Sequence, residues 1–465
     1  MSASLHVLAE GDIPARAQMG ASLGFHIIFA CFGIAFPLVF LIAEWIGIRR
    51  RDQVALALAQ RWSKVAAVIF AVGAVSGTVL SYELGLLWPG LMGRYGAAFG
   101  IPFAIEGIWF FVEAIFTAIY LYSWRRLSPW VHWWSGTPMV IAGLLGAFSV
   151  VAANSWMNQP SGFTLENGRI ASVDPWAVIF NRATPFETPH MILGAYMVVG
   201  FVVAGVYAVG LLRGRRDRYH QLGFLIPFWV GAVCAPLQVL MGDILARWVA
   251  NEQPIKFAAM ELVADTQRGA TEWLGGIYWN GEVYFGFGIP YLDSILVGWS
   301  PNAEVIGWNS VPPELRPPLS NLIHLSFDGM VVIGSLLMVL GAWQAWVWKF
   351  RREVLSTRWF LIPAALAGFA SIVAMELGWI VTEVGRQPWV VYGLLLTRDA
   401  VTTAGGVPVT LAATIVIYGV LTATSIDVPW LMGRRWRTQD AARTGADTVR
   451  TPYGPPPARV DETPV

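Results

Sequence analysis

Long apolar stretches, separated by short polar connections, follow one another along almost the whole chain. Most contain about 20 or more residues, the length that an α-helix needs to cross the hydrocarbon core of a bilayer. The pattern therefore predicts about nine membrane-spanning helices. In chain order the predicted spans are 20–47, 62–88, 98–123, 133–157, 188–212, 221–249, 319–349, 358–384 and 405–433.

Composition agrees with this pattern. Hydrophobic residues make up 56% of the 465 residues and charged residues only 13%, whereas soluble proteins contain about 25% charged residues. The 24 Trp and 13 Tyr suit aromatic belts at the two membrane surfaces. The predicted fold class is an all-α polytopic membrane protein. The sequence has no basic tract interleaved with aromatic residues, the pattern that would suggest nucleic acid as a partner.

The basic clusters indicate how the chain is oriented. They follow the odd-numbered spans, at residues 49–51, 125–126, 213–218, 349–352 and 434–437. Because Lys and Arg are enriched on the cytoplasmic side, the N-terminus is predicted outside and the C-terminus inside. The long connection between the sixth and seventh spans would then face outwards.

Several ionisable residues lie inside these spans or at their ends, in one layer towards the outer side. They are His26, Glu83, Glu106, Glu113, His190, Glu376 and Glu383. A single one could be a satisfied packing residue, but charged groups in a membrane are costly and typically mark ion paths, proton relays or ligands. Glu106 and Glu113 are seven residues apart and share a helix face, an arrangement typical of a proton relay.

The six histidines divide into two groups. His132 and His220 lie near membrane surfaces, where we expect solvated rings, and His6 is terminal. His26, His190 and His324 lie in or at spans and are candidate haem ligands, since axial haem ligation uses His, Met, Cys or Tyr. Met330, about three turns into the seventh span, could complete a His/Met pair, although the chain has 13 methionines.

Six sequence words contain these residues: RAQMGASLGFHIIF, SGTVLSYELGLLWPG, FAIEGIWFFVEAIF, VAANSWMNQP, FDGMVVIG and ELGWIVTEVGRQPW. Together they resemble subunit I of the cytochrome bd quinol oxidases, from residue 16 to about 430. The resemblance implies a terminal quinol:oxygen oxidoreductase that spans the bacterial cytoplasmic membrane. It would oxidise quinol at the outer side, reduce oxygen to water at haem, and build a proton gradient by charge separation without pumping.

The resemblance also implies a role for each motif residue. His190 and Met330 match the ligands of a low-spin haem b, and His26 and Glu376 match the ligands of two high-spin haems, one haem b and one haem d. The matching residues near the haems are Glu106, Glu113 and Glu83 as carboxylates, with Arg16, Arg386, Gln387 and Trp389 at the haem edges. Lys256 and Glu261 match the quinol-binding pair.

Two positions depart from the pattern of some members. Asp328 stands where those members have an arginine, and Ile372 where they have a tryptophan. An acid near the low-spin haem should lower its reduction potential. The FDxMV setting and the short outer loop resemble the cyanide-insensitive subgroup, in which haem b can replace haem d.

The predicted organisation has four parts. Residues 1–250 form helices 1 to 6, 251–317 an outer quinol-binding loop, 318–437 helices 7 to 9, and 438–465 a disordered cytoplasmic tail. The family implies a second, haem-free membrane subunit (subunit II), with or without small single-span subunits, besides membrane quinol, oxygen and lipid.

Two other functions also use carboxylates and histidines within a membrane. A proton-coupled transporter would show inverted repeats or broken helices at the midplane, and the sequence shows no internal repeat. A b-type quinol dehydrogenase subunit would place paired histidines on the same helices, whereas the candidate ligands here lie on separate spans. An optical spectrum of the purified protein separates the three functions.

Overall fold

The computed structural model describes residues 12–351, 357–442 and 452–453. Within these ranges nine helices are long and apolar enough to cross a membrane, which confirms the predicted fold class. We label them α1 to α9 in chain order. They are α1 (Asp12–Arg50), α2 (Gln53–Leu87), α3 (Pro89–Ser123), α4 (Pro129–Asn158), α5 (Thr184–Leu212), α6 (Arg218–Glu252), α7 (Ser320–Arg351), α8 (Arg358–Gly385) and α9 (Val407–Ala442).

The helices are longer than the predicted spans. Helix α1 contains 39 residues, and at 1.5 Å per residue it is about 58 Å long. The hydrocarbon core of a bilayer is only about 30 Å thick. The sequence pattern marks only the part of a helix that lies in lipid. The turns that project into water carry ordinary polar residues and were therefore not predicted.

Helix α5 lies at the centre of the bundle. It packs against α6 and α8, while α1 packs with α2, α3 with α4, and α9 lies on the outside against α1 and α2. Small residues allow the central backbones to approach closely, as is common between membrane helices. A Cβ atom on Gly200 of α5 would lie 2.5 Å from the backbone nitrogen of Gly231 in α6, so a larger residue would force these two helices apart.

The connection between α6 and α7, which we call the long loop, is folded rather than extended. It contains the helices Pro254–Met260 and Leu292–Gly298, the strands β3 (Gln267–Arg268), β4 (Glu272–Leu274), β5 (Ile277–Trp279), β6 (Glu282–Tyr284), β7 (Phe287–Ile289) and β8 (Glu304–Val305), and two 3-10 turns, Trp308–Ser310 and Pro313–Leu315. The antiparallel pairs are β3–β8, β4–β7 and β5–β6. Asn280 and Gly281 join β5 to β6 with φ of 50° and 93°, a two-residue turn that favours Asn-Gly.

Smaller elements complete the chain. Two further antiparallel strand pairs, β1 (Phe163–Glu166) with β2 (Arg169–Val173) and β9 (Trp389–Val391) with β10 (Leu395–Leu396), and two short helices, Pro175–Ile179 and Thr397–Ala400, lie on the same side of the bundle as the long loop. We call this side the loop side and the opposite side the tail side.

The start of the tail differs from the prediction. Residues 438–442 continue α9 instead of being disordered, and Asp440 pairs with Arg61 of α2 at 2.7 Å. The prediction was wrong there because charged residues are found equally at the solvated end of a helix and in a disordered segment, so composition does not distinguish the two. Tyr453 is also placed, since its hydroxyl donates to Glu44 at 2.5 Å. The other tail residues lie outside the described residues.

Candidate functional site

A cavity of about 380 Å³ lies between α5, α6, α7 and α8 on the loop side. His190 from α5 and Met330 from α7 both line it, so the two candidate ligands do come together from separate helices. Glycines make room beside them. A Cβ on Gly378 would lie 2.9 Å from the Met330 sulfur, and one on Gly242 would lie 3.6 Å from the His190 ring.

The contacts of His190 suit a metal ligand. The amide nitrogen of Gln238 lies 3.3 Å from Nδ1 and 3.2 Å from Nε2 of the ring. One amide group at nearly equal distance from both nitrogens cannot satisfy both of them. The Gln238 carbonyl oxygen is itself buried with no hydrogen-bond partner among the described residues. The ring thus has a nitrogen to offer to a group bound in the cavity.

His26 is oriented by a serine from the neighbouring helix. Its Nδ1 lies 2.9 Å from the hydroxyl oxygen of Ser76 in α2, and that hydroxyl donates to the carbonyl of Gly73 at 3.0 Å. Because the serine proton is used by Gly73, the serine oxygen must accept from His26 Nδ1–H. The lone pair of this histidine is then on Nε2, as a haem ligand requires.

Glu376 of α8 approaches the turn of α1 that precedes His26. Its Oε2 lies 3.2 Å from the position that a Cβ on Gly24 would take, so glycine is needed for this approach. Its Oε1 is buried and has no hydrogen-bond partner within the described ranges. A buried carboxylate oxygen without a partner is costly unless it binds something else. The atom therefore suits the role of an iron ligand.

The three other predicted carboxylates lie apart from one another. Glu83 of α2 is buried, and its Oε1 accepts from the Gln18 amide of α1 at 2.8 Å. Glu113 of α3 lines a small cavity with Thr117 and has no salt bridge within the described part of the chain. Glu106 lies on the same face of α3, two turns towards the loop side.

The Gly-Arg-Gln-Pro-Trp turn ends α8 on the loop side. Arg386 donates to Glu383 at 2.5 Å, and Trp389 donates its backbone N–H to the Arg386 carbonyl at 3.0 Å. The Arg386 guanidinium is buried, yet its Nε and Nη1 have no acceptor among the described residues. Unpartnered N–H groups of a buried guanidinium suit an anion such as a haem propionate. Arg16 of α1 reaches the same turn and donates to Gln387 at 3.4 Å.

The predicted quinol residues lie in the long loop and line the same cavity as His190. Lys256 is buried, which lowers its pKa to about 8, and its charged neighbours are Glu187, Arg386 and Glu383. Glu261 is also buried, but its charged neighbours are acidic. The described residues contain no ion pair between Lys256 and Glu261. The two side chains therefore offer separate donor and acceptor groups to a bound molecule.

The third histidine candidate has a structural role. His324 Nδ1 lies 2.7 Å from the Met260 carbonyl and Nε2 lies 3.1 Å from the Gly275 carbonyl. With both nitrogens in contact with carbonyl oxygens, the ring attaches the long loop to α7 and offers no free nitrogen to iron. Asp328, four residues later, accepts from the Gly275 N–H. This acid therefore binds the loop backbone.

The prediction that His132 is solvated is wrong. Its ring is fully buried, with Nε2 3.0 Å from the Tyr120 carbonyl and Nδ1 2.7 Å from Glu44. Nε2 must be a donor, because a carbonyl only accepts. Glu44 accepts from the hydroxyls of Tyr120 and Tyr453 as well, so it joins His132 in one buried hydrogen-bond network. The ring escapes solvent because α4 begins at Pro129 directly beside α1 and α3.

Several residues at these sites were missed at the sequence level. They are Glu44, Ser76, Glu187, Gln238, Glu272 and Asp293. Two of them carried a signal: Glu44 is a carboxylate within the first span, and Glu187 precedes His190 by one helical turn. Nothing in the sequence around Ser76, Gln238, Glu272 or Asp293 distinguishes them from other polar residues. Only their position in the folded chain makes them neighbours of the candidate ligands.

The chain is similar to several known proteins of one family. The family model described as cytochrome bd terminal oxidase subunit I matches residues 14–436. The cytochrome bd ubiquinol oxidase subunit 1 of Bacillus subtilis (strain 168) is 30% identical over 427 residues, which cover 88% of this chain and 90% of that protein. The cytochrome bd-II ubiquinol oxidase subunit 1 of Escherichia coli (strain K12) is 24% identical over 456 residues, covering 83% and 88%.

A solved structure is similar over nearly its full length. The bd oxidase from Geobacillus thermodenitrificans superposes with a TM-score of 0.86 at 35% identity, covering 92% of this chain and 99% of that chain. Nine apolar helices, a family match over most of the chain and this superposition all agree. The chain therefore belongs to the cytochrome bd terminal oxidase subunit I family and is a subunit of a haem-containing respiratory quinol oxidase.

Proposed function

We propose that the chain oxidises membrane quinol at the long loop and reduces oxygen to water within the helix bundle, in the bacterial cytoplasmic membrane. The observation that carries this proposal is one shared cavity. His190 and Met330, which suit a low-spin haem, line the same space as Lys256 and Glu261, which suit a quinol. An electron donor and its first acceptor would thus be neighbours.

Four side chains would hold the haems. His190 and Met330 would ligate the low-spin haem b, while His26 and Glu376 would ligate the two high-spin haems, a haem b with either haem d or a second haem b. Haem bound at these residues supplies electron transfer from quinol and the reduction of oxygen. Arg386 would bind a propionate through its unpartnered N–H groups, and Arg16, Gln387 and Trp389 would complete the wall of this pocket.

At the quinol, Glu261 and Lys256 would have complementary roles. Glu261 would accept a hydroxyl proton at its unpartnered Oε2. Lys256 would donate a hydrogen bond to the other quinol oxygen. Because its pKa is lowered to about 8, this side chain can also exchange its proton near neutral pH. Burial keeps water away from both groups, so quinol hydroxyls would be their partners.

The proton path would run along α3. Glu113, deeper in the membrane, would take protons from the cytoplasmic side and pass them through water to Glu106, which lies nearer the haem layer. Glu83 would be a further acid near this layer, held by Gln18. With the loop outside, quinol would release protons outwards while oxygen reduction consumed protons from inside. This charge separation would build the gradient without pumping.

The exposed helices suggest where partners bind. In their most apolar windows α2 and α9 are each only 11% buried and α3 is 17% buried, against 67% for α5. Apolar faces of this extent need lipid or another membrane protein. Subunit II, with or without small single-span subunits, would cover part of them.

The test combines spectroscopy with activity. We expect the purified complex to take up oxygen with quinol and to show a reduced low-spin b spectrum. His190→Ala should remove that low-spin signal, because an axial nitrogen is lost. His220→Ala is the control, since this histidine pairs with Asp217 on the tail side. A normal low-spin spectrum in His190→Ala contradicts the ligand assignment, and a complex without haem contradicts the proposed function.

A further inference from the structure

Three carboxylates from distant parts of the long loop meet in one buried cluster. They are Glu261, directly after the helix Pro254–Met260, Glu272 in β4, and Asp293 in the helix Leu292–Gly298. One oxygen from each lies within 4.8 Å of the others. All three line the cavity that contains His190 and Met330. We call them the carboxylate cluster.

The cluster contains oxygens that nothing in the described chain satisfies. Asp293 is 0% exposed, and neither of its carboxylate oxygens has a hydrogen-bond partner among the described residues. Oε2 of Glu261 and Oε2 of Glu272 are likewise buried and unpartnered there. The described ranges contain no salt bridge to any of the three. Three uncompensated charges in such a place would be very costly, so the cluster must hold protons or bind something in the cavity.

The titration of the cluster is suited to proton exchange. Burial raises the pKa of Glu272 to about 6 and that of Asp293 to about 8, and it raises the pKa of Glu261 well above its usual range. Glu272, Asp293 and Asp328 of α7 add to the rise in the pKa of Glu261, and Glu272 adds to that of Asp293. At Glu272, Asp328 adds to the rise in pKa, while Glu261 and His324 of α7 oppose it. Near neutral pH some members therefore carry a proton and others can accept one.

We propose that Glu272 and Asp293 take over the proton that Glu261 removes from quinol, so that the three carboxylates act as one proton-accepting unit. This inference rests on the proposed function of Glu261. The hydroxyl beside Glu261 breaks its O–H bond and its proton binds a carboxylate oxygen of Glu261, while the hydroxyl beside Lys256 gives its proton to Lys256 in the neutral form. One electron leaves with each proton, towards oxygen, the final oxidant of the oxidase. After two such steps quinol has become quinone, with two protons and two electrons released.

The geometry explains why a single base is not enough. Glu261 is buried, so its proton needs neighbouring acceptors to return to water. One carboxylate oxygen of Glu272 lies within 4.8 Å of one of Glu261. Asp293 is within the span of a direct or water-mediated hydrogen bond from both. Passing the proton along this line frees Glu261 for the next quinol.

The test uses isosteric changes in the complete complex. In Asp293→Asn and Glu272→Gln we expect kcat of quinol-driven oxygen uptake to fall by about tenfold or more, less than the about 100- to 10,000-fold typical of losing a direct base. Haem content and the reduced spectrum should stay parental. Glu304→Gln is the control, because this acid of the same loop is exposed and pairs only with Arg268 in the described structure.

The pH profile provides a readout that a merely structural role would not change. A carboxylate accepts protons only above its pKa, so parental kcat should fall as the pH drops through about 8, the pKa of Asp293, towards about 6, that of Glu272. In Asp293→Asn the fall near pH 8 should disappear. Parental kcat and pH profiles in both variants, alongside an inactive Glu261→Gln, overturn the relay but leave the proposed function standing.

Two other outcomes also decide the matter. If Glu261→Gln itself oxidises quinol at the parental rate, the assignment of Glu261 as the base is wrong, and the relay is wrong with it. Three carboxylates could also hold a hard cation such as Ca²⁺ or Mg²⁺. If a chelator abolishes activity of the parent complex and Ca²⁺ or Mg²⁺ alone restores it, the cluster is a cation site, and the relay is overturned.

Discussion

The hydrogen bond between Ser76 and His26 allows a sharp test of how this fold prepares a haem ligand. Ser76 is fully buried, and its hydroxyl links the His26 ring at 2.9 Å to the Gly73 carbonyl at 3.0 Å. Ser76→Ala removes the acceptor of His26 Nδ1–H. Because Ser76 is fully buried, this N–H would lose its acceptor in the protein interior.

The expected size of the effect follows from two estimates. A buried donor left without a partner costs about 1–3 kcal/mol. Losing the group that orients a metal-binding histidine typically costs about 10- to 100-fold in affinity, which corresponds to about 1.4–2.8 kcal/mol. Because the two ranges overlap and Ser76 is 0% exposed, we expect about tenfold or more weaker retention of the haem that His26 ligates.

The assay is haem retention in the purified complex. We would measure the haem-to-protein ratio, the high-spin spectrum and the reduction potential of that haem, for the parent, Ser76→Ala and Ser81→Ala. Ser81 is the matched control: it lies on the same helix, is exposed and bonds only its own helix, at the Gly77 carbonyl. Equal haem content, spectrum and potential in Ser76→Ala and the parent would refute the reasoning about the His26 tautomer.

Three further predictions concern other parts of the chain. Met330→Leu nearly conserves volume, so the complex should assemble, and the iron that His190 ligates should become five-coordinate. An unchanged six-coordinate spectrum would remove Met330 from the ligand set. Glu113→Gln should keep haem content but slow proton uptake after oxygen binds, and parental uptake in flow-flash kinetics would rule out this route. His132→Ala leaves the buried Glu44 carboxyl and the Tyr120 carbonyl each without one hydrogen-bond partner, which costs about 1–3 kcal/mol per group; the melting temperature in detergent should drop clearly, and an unchanged value would contradict a structural role for His132.

The sequence alone was sufficient for the number of spans and for the resemblance to a family. A helix that crosses lipid needs a continuous apolar run, which is a local property of about 20 residues. The candidate ligands were also visible, because His or Glu inside such a run is costly and stands out. His190 and Glu376 could therefore be selected for their chemistry before any packing was known, whereas Met330 and Glu261 were assigned through the family resemblance.

The side on which each helix is buried could not be read from the sequence. Helices α5 and α9 have similar mean hydropathy, 2.2 and 1.9, yet 67% of one window is buried and 11% of the other. Lipid and protein interior are both apolar, so hydrophobicity does not distinguish a central helix from a peripheral one. For the same reason His132, close to the end of a span, was wrongly expected in water.

Only the tertiary structure decided which polar groups become partners. Ser76 reaches His26 across 50 positions of sequence, and Arg16 reaches Gln387 across 371. Glu261, Glu272 and Asp293 come together because strand pairing folds the long loop back on the cavity. Such contacts depend on how whole helices and loops pack, whereas the sequence pattern reports the preference of each segment for lipid or water. The residue types of the candidate ligands are a local property of the sequence, whereas the groups that surround them are set by the fold.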